Sequence, residues 1–192
     1  MRRIGRIQFV QIQRESLKVG EGAARSYDPT PLLTVPRLQL TSDGVYGICG
    51  DGTAIVDVHN TQHPRSRNRE DNFISMGFTG HYAAMRSQLS DHLTDGIAGE
   101  NIIVQYDGIL TPEQLGKEVF IETQHGERIA LDAVLPIPPC EPFSRFAANR
   151  SLSAPEMKAT LQFLSDGTRG FYMRIATDTA FIQAGDTVWG IE

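Results

Sequence analysis

Short runs rich in Val, Ile, Phe and Thr recur along the chain, and each is bounded by Gly, Pro, Asn or Asp. Such runs are typical of β-strands, because β-branched and aromatic side chains suit a pleated surface and the bounding residues favour turns. The predicted strands lie at residues 4–12, 53–59, 72–76, 101–105, 117–123, 128–136, 170–177, 180–183 and 186–191. A hairpin turn is predicted around Gly126. Because so many strands are predicted, the chain is expected to be mainly β.

Two segments depart from this pattern and predict helices. Thr79 is expected to cap the first, and the second opens with the capping-box pair Ser153 and Glu156 and stops at Gly167. Residues 20–36 contain three prolines and predict a loop or arm. Many strands with two isolated helices predict a closed or half-closed β-barrel with a few short peripheral helices. No repeat or linker divides the 192 residues, so one domain is expected.

Charge and cysteine content restrict the classes of protein further. A formal net charge of −5 argues against a general nucleic-acid binder, and no apolar run reaches the roughly 18 residues of a membrane span. No secretory signal is visible, so a cytoplasmic protein without membrane contact is expected. The two cysteines, Cys49 and Cys140, cannot form a zinc ribbon or an iron–sulfur cluster. A disulfide is formally possible, but free thiols are favoured in a reducing compartment.

The segment PIPPCEPFSRF, residues 136–146, surrounds Cys140 with four prolines. Each proline fixes φ and removes a backbone donor, which excludes a central strand. A stiff, extended loop that holds one thiol in a defined place is therefore predicted, and a nucleophile or ligand benefits from such an arrangement. The alternative interpretation is a buried cysteine with a structural role only.

A second segment, DVHNTQHPRSRNRED at residues 57–71, is rich in imidazole and guanidinium groups. These side chains are His59, His63, Arg65, Arg67 and Arg69. Pro64 prevents one continuous helix, so the histidines do not form a helical zinc motif. Arginine offers a planar fork of donors, so the loop could bind a phosphate or a carboxylate. Alternatively, the arginines pair with neighbouring acidic residues in solvent.

Two glycine-containing segments complete the set of candidate sites. GIAGENIIV, residues 96–104, places Glu100 and Asn101 in a turn before an apolar strand. In GTRGFYMRI, residues 167–175, Arg169 stands where another strand begins. Its side chain is either an anion contact or a surface charge. Taken alone, each pattern is also explained by turn geometry.

Four motifs resemble the MOSC domain family in their order along the chain. They are the GEN turn, the PPC loop at Pro138–Cys140, the GTRG segment and the closing run AGDTVWGI. The family is named for the C-terminal domain of molybdenum cofactor sulfurase, and the resemblance is to a stand-alone bacterial-type member. It implies a MOSC-type β-barrel over residues 40–192. Residues 1–39 would add a strand and an arm packed on the same domain.

The resemblance implies that Cys140 is the catalytic thiolate and ligates the molybdenum of a molybdenum cofactor (molybdopterin). A soft thiolate suits such a metal. The residues expected to bind the cofactor are Arg65, Arg67, Arg169, Glu100, Asn101 and His59. One departure concerns a Gly-Asp-x-His pattern of many family members, because here Gly50–Asp51 is followed by Gly-Thr and the histidine comes later, as His59.

The expected activity is an oxidoreductase that reduces an N-hydroxylated small molecule. No flavin, haem or iron–sulfur signature is visible, so the electrons would come from a separate redox protein. The alternative is a non-catalytic module that carries sulfur or molybdenum cofactor on the same thiol. A barrel that has kept the fold for a different ligand is a third interpretation.

Overall fold

The computed structural model describes residues 1–66, 73–177 and 179–191. Its strands are β1 (Arg2–Gln13), β2 (Lys18–Val19), β3 (Ser26–Tyr27), β4 (Leu32–Val35), β5 (Arg37–Thr41), β6 (Gly44–Ile48), β7 (Ala54–Val56), β8 (Ile74–Phe78), β9 (Ile102–Gln105), β10 (Val119–Glu122), β11 (Arg128–Pro136), β12 (Phe171–Ile175), β13 (Thr179–Gln183) and β14 (Thr187–Gly190). Its α-helices are α1 (Thr79–Gln88), α2 (Pro112–Leu115), α3 (Glu141–Ala148) and α4 (Ala154–Leu164). The predicted fold class, mainly β with a few short helices, is confirmed.

Seven of these strands close into a barrel in the order β1-β14-β10-β11-β12-β8-β9 and back to β1. The long strand β1 closes the ring, because its residues 2–6 pair with β14 and its residues 6–10 pair with β9. Neighbouring strands are antiparallel except β8 and β9, which run parallel with α1 in the connection between them. Closure leaves these strands without a free edge.

The barrel interior is filled by apolar side chains from all around the ring. On β8, Ile74, Met76 and Phe78 belong to this core, yet Ser75 and Gly77 on the other face are buried as well. Both faces of β8 are therefore covered, the inner one by the core and the outer one by neighbouring polar and apolar side chains. On this outer face, Ser75 donates hydrogen bonds to Asn101, which in turn donates to Asp57.

A second sheet, in the order β13-β5-β6-β7, packs on the barrel. Leu38, Leu40 and Val45 from this sheet join the same apolar cluster as the barrel interior. The two sheets therefore share one core, and the remaining short hairpin, β2–β3, lies against α3. No helix in the described part of the chain is long and apolar enough to span a membrane.

The helix predictions are correct in part. Ser153 donates from its N–H and its hydroxyl to Glu156, so the capping box at the start of α4 is confirmed. The capping prediction for Thr79 is wrong, because Phe78 occupies the N-cap and the Thr79 hydroxyl donates to the Tyr106 carbonyl instead. Helices α2 and α3 were not predicted.

The strand predictions are best where the apolar run is long. Residues 128–136 form β11 with the predicted bounds, and the hairpin around Gly126 is confirmed by its N–H donating to the Thr123 carbonyl. The predicted loop at residues 20–36 is wrong in part, since it contains β3 and β4. The neighbouring strands β5 and β6 were missed. Leu38 and Leu40 alternate with polar residues, which is the signal that could have identified β5.

Candidate functional site

Cys140 is the N-cap residue of α3 and has extended backbone angles, with φ −136° and ψ 148°. Its side chain is half-buried, and its carbonyl accepts hydrogen bonds of 3.0 Å from both the N–H and the hydroxyl of Ser144. The thiol therefore lies where the exposed N–H groups of an eight-residue helix favour negative charge. Both cysteines of the chain are free thiols.

The expectation of an extended loop over residues 136–146 is correct only as far as Cys140. From Glu141 onward the chain is helical, because Pro142 suits the first turn of a helix and needs no backbone donor there. Phe143 and Ala147 bury one face of this helix completely. Their spacing, together with Pro142, is the signal that could have predicted α3.

Arg169 and Glu100 form an ion pair with 2.6 Å between Nη1 and Oε1. Their side chains are 11% and 1% exposed. The Tyr82 hydroxyl donates to the other carboxylate oxygen and accepts from the Ala98 N–H, while Arg169 Nη2 donates to the Ala98 carbonyl. Burial, and then the neighbouring Glu100 charge, raise the pKa of Tyr82 well above its usual value. The result is a closed group of hydrogen-bonded side chains under the loop that contains Ala98.

That loop, residues 96–101, has every carbonyl occupied by a donor. The donors are Gln11 Nε2 to Gly96 and Glu100, the Tyr27 hydroxyl to Ile97, Arg169 to Ala98, Gln13 Nε2 to Gly99, and the Gln11 N–H to Asn101. Buried carbonyls need such partners, because an unpaired one costs about 1–3 kcal/mol. The GEN turn is therefore fixed from several directions, by β1, by the β2–β3 hairpin and by the GTRG segment.

Asp57 and Asn101 extend this group toward the histidine-containing segment. Asn101 accepts from both the N–H and the hydroxyl of Ser75 and donates to Asp57 Oδ2 at 3.0 Å. Asp57 is fully buried and also accepts from the Gln13 N–H and from the N–H and Nδ1 of His59. Burial alone would raise the pKa of Asp57, but the hydrogen bonds from His59 and Gln13 outweigh it and hold the pKa below its usual value.

Tyr27 lies where these segments meet. Its ring is 5.1 Å from the rings of Phe143 and Phe146, centroid to centroid. Burial raises the pKa of Tyr27; the Arg169 charge opposes this increase, and Glu100 and Cys140 add to it. The structure thus places the ion pair of Glu100 and Arg169 beside Phe143, and Cys140 packs against the same apolar cluster as Phe143 and Tyr27, a buried tyrosine that the sequence analysis did not identify.

The other predicted residues have different surroundings. His59 is tied to Asp57, and through Asp57 to Asn101. Arg65 is mostly exposed and pairs with Glu15, with 2.9 Å between Nη1 and Oε2. Arg67 and Arg69 lie outside the described residues.

Missed functional candidates were Tyr27, Tyr82 and Asp57. Tyr27 stands in the segment predicted to be an arm, where a single aromatic residue has no periodic pattern to mark it. Asp57 could have been noticed, since a carboxylate often fixes the orientation of an imidazole ring and Asp57 is two residues before His59.

The exposed side of α3, the helix that follows Cys140, carries an ion pair between two of its own residues. Arg145 pairs with Glu141 one turn earlier, with 2.6 Å between Nη2 and Oε2. A cavity of about 170 Å³ lies near the other end of α3, lined in part by Leu89, Ala148 and Arg150. In the described ranges, no three His, Cys, Asp or Glu side chains converge on a common point as metal ligands.

His81 lies in the interior beside the GTRG segment, and its protonation should affect stability. Its Nε2 accepts from the Leu110 N–H at 2.8 Å, and burial lowers its pKa from 6.5 to about 4. The unfolded chain therefore binds a proton below pH 6.5 that the folded chain takes up only near pH 4. The stability contributed by neutral His81 is complete above pH 6.5 and is lost as the pH falls through this window.

We expect wild type to lose about 2 kcal/mol of unfolding free energy between pH 7.5 and pH 5 through this group. Urea unfolding at both pH values measures the loss, and His81→Gln should remove most of it. His125→Gln, at an exposed position in the β10–β11 turn, is the matched control and should leave the difference unchanged. An equal pH dependence in wild type and His81→Gln would contradict the account.

The fold of this chain is similar to those of solved structures. No family model matches the chain, and no curated protein matches its sequence. Among solved structures, the YuaD protein from Bacillus subtilis matches with a TM-score of 0.60 and 13% identity, over 97% of this chain and 96% of that chain. YiiM from Geobacillus stearothermophilus matches with a TM-score of 0.55 and 15% identity, over 97% of this chain and 75% of that chain. At these identities the likeness concerns the fold alone, and it supports a MOSC-like fold.

Proposed function

We propose that this chain is a MOSC-type protein that binds molybdenum cofactor through Cys140 and reduces an N-hydroxylated small molecule. The observation that carries the proposal is the convergence around Tyr27. There Cys140 packs against the apolar cluster that contains Tyr27 and Phe143, and Arg169, paired with Glu100 of the GEN turn, lies over the Phe143 ring. Three of the motifs that resemble the family, the GEN turn, the PPC loop and the GTRG segment, are thus neighbours in space, on a fold similar to those of YuaD and YiiM.

The donor set around Cys140 suits this cofactor. With no cluster of three His, Cys, Asp or Glu ligands in the described ranges, a metal at Cys140 would receive one protein thiolate and would have to bring its other ligands with it. A pterin dithiolene does so, and a soft thiolate suits the same metal. The helix N-terminus at Cys140 favours an anionic group, and the apolar cluster that contains Tyr27, Phe143 and Phe146 packs against Cys140.

A phosphate on the cofactor requires a cation with an exchangeable partner. Arg65 fits, because its ion pair with Glu15 is exposed and such pairs contribute only about 0–1 kcal/mol. Glu15 is two residues from Leu17, and Leu17 belongs to the apolar cluster against which Cys140 packs. Arg67 is proposed as a second contact, although it lies outside the described residues.

When bound, the cofactor supplies an acceptor for the oxygen of the N–OH group. The reaction is R–NHOH + 2 e⁻ + 2 H⁺ → R–NH₂ + H₂O, and a separate redox protein would supply the two electrons. The chain itself holds Cys140 at a helix N-terminus and packs it against the apolar cluster of Tyr27 and Phe143, whose ring contacts Arg169 of the hydrogen-bonded group. The proposed site thus has its protein ligand in place before substrate binds.

Turnover tests the activity. Protein from a host that makes molybdenum cofactor is mixed with an N-hydroxylated base and chemically reduced viologen, and formation of the amino product is followed. We expect turnover by wild type, at least about 100-fold slower turnover by Cys140→Ala, and unchanged turnover by Cys49→Ala as the control thiol. Equal rates for wild type and Cys140→Ala would contradict the proposal.

A sulfur carrier is the second candidate, and the separation of the two thiols favours it. Cys49 lies in the β6–β7 turn, whereas Cys140 lies at α3, so a persulfide on Cys140 has no neighbouring cysteine to resolve it. Incubation with a cysteine desulfurase and cysteine, followed by intact mass measurement, should show one added sulfur that is absent in Cys140→Ala. A thiol that stays unmodified would reject the carrier role.

A further inference from the structure

We infer that Arg169 and Gly170 position Cys140 by holding the residues on both sides of it. On the N-terminal side, the Ile137 N–H donates to the Gly170 carbonyl at 2.9 Å. On the C-terminal side, the Arg169 guanidinium carbon lies 4.6 Å from the centre of the Phe143 ring. Each contact is three residues from Cys140, so two adjacent residues of the GTRG segment form a clamp around the thiol.

The clamp is itself fixed in place. Arg169 is bound by Glu100 and by the Ala98 carbonyl. Gly170 has a positive φ of 102°, and a Cβ there would lie 2.6 Å from the Met76 carbonyl oxygen. Only glycine lets the chain approach β8 this closely while it turns from Arg169 into β12. The position of Cys140 is therefore determined by rigid elements and not by its own loop.

This role differs from the cofactor contact that the sequence suggested for Arg169. The positive charge of Arg169 is matched by Glu100 in a nearly dry environment, and moving the guanidinium to an external anion would leave the buried carboxylate without a partner. The ring of Phe143 covers it as well. Arg169 therefore acts on the thiol through Phe143 as a positioning residue, and the anion contact falls to a more exposed arginine.

The inference rests on the proposed function only in taking Cys140 as the reactive group, and it is testable without metal. In metal-free protein on a Cys49→Ser background, Cys140 is the sole thiol, and the rate constant of its alkylation by iodoacetamide reports how tightly it is held. Phe143→Leu removes the ring under Arg169 and leaves the ion pair in place. Arg169→Lys keeps a positive charge opposite Glu100. It loses the planar guanidinium group that donates to the Ala98 carbonyl and lies over the Phe143 ring.

We expect Phe143→Leu to raise the alkylation rate about tenfold and Arg169→Lys to raise it less, because loss of a buried cation–π contact increases local opening by about this factor. Arg145→Met breaks only the outer ion pair of α3 and should leave the rate within about twofold of the parent. Rates in Phe143→Leu that equal the parent, or fall below it, would overturn the inference.

A second control separates positioning from general loss of stability. Val188→Ala opens a cavity in the barrel core away from the clamp and should lower the melting temperature without raising the alkylation rate. If Val188→Ala raises the rate as much as Phe143→Leu does, the inference is overturned. Because no metal is present, a failure of the clamp is distinguishable from a failure of cofactor binding, which is measured separately as molybdenum content.

Discussion

Replacing Arg169 with methionine is expected to lower the free energy of unfolding by about 3–5 kcal/mol, because it leaves the buried carboxylate of Glu100 without its cation. The two side chains are 11% and 1% exposed, so water cannot replace the lost partner. The Ala98 carbonyl and the face of Phe143 lose a contact at the same time. Since domains of this size are stable by only about 5–15 kcal/mol, this loss is a large fraction of the total stability.

Urea unfolding followed by circular dichroism measures this loss, and a double variant shows its cause. Glu100→Gln with Arg169→Met removes both charges while retaining an acceptor for the Tyr82 hydroxyl, so at least half of the lost stability should return. Arg145→Met, at the exposed pair of α3, should change stability by less than about 1 kcal/mol. A loss for Arg169→Met as small as that for Arg145→Met would contradict the description of the site.

Asp57→Ala is expected to cost about 3–5 kcal/mol for a different reason. The carboxylate accepts hydrogen bonds from Gln13, His59 and Asn101 in a fully buried position, and its removal leaves these donors unpaired. The side chain also connects β1 to the GEN turn, so its loss should loosen Asn101 and Ser75. Hydrogen exchange of the amides of Gln13 and Ser75 should therefore accelerate together with global unfolding.

The pH dependence of Asp57 has a definite sign. Its pKa is held below its usual value, so its contribution is complete above about pH 4 and disappears only as the pH falls through the lowered folded-state pKa. Asp51→Ala is the matched control, because Asp51 accepts from the Thr53 N–H in a similar short turn but is fully exposed. We expect Asp51→Ala to leave stability nearly unchanged, and a comparable loss in both variants would contradict the account.

Local sequence patterns predicted the strands that carry strong apolar runs, and β11 is the clearest case. They predicted the fold class because the composition of such runs depends on neighbours only a few residues away. They failed where tertiary contacts decide the conformation. Residues 141–148 form a helix that buries Phe143 and Ala147, and the two-residue strands β2 and β3 are too short to show a periodic pattern.

The candidate site was predicted as separate pieces and not as an arrangement. Cys140, Glu100 and Arg169 could be identified from their motifs, but Glu100 and Arg169 are 69 residues apart and no local pattern shows that they form an ion pair. The stacking of Arg169 on Phe143, which is 26 residues away in the sequence, was likewise not visible in any local pattern. The sequence therefore indicated some of the residues of the candidate site, and only the fold shows that Arg169 is paired with Glu100 and stacked on Phe143.

The central claim is that Cys140 is the protein ligand of a molybdenum cofactor, and the molybdenum content of purified protein tests it most directly. The measurement compares wild type, Cys140→Ala and the control Cys49→Ala, all produced in a host that makes the cofactor and analysed by inductively coupled plasma mass spectrometry. The account predicts close to one molybdenum per chain in wild type and Cys49→Ala, and less than about a tenth of that in Cys140→Ala. Wild type without molybdenum, or equal loading in Cys140→Ala, would contradict it.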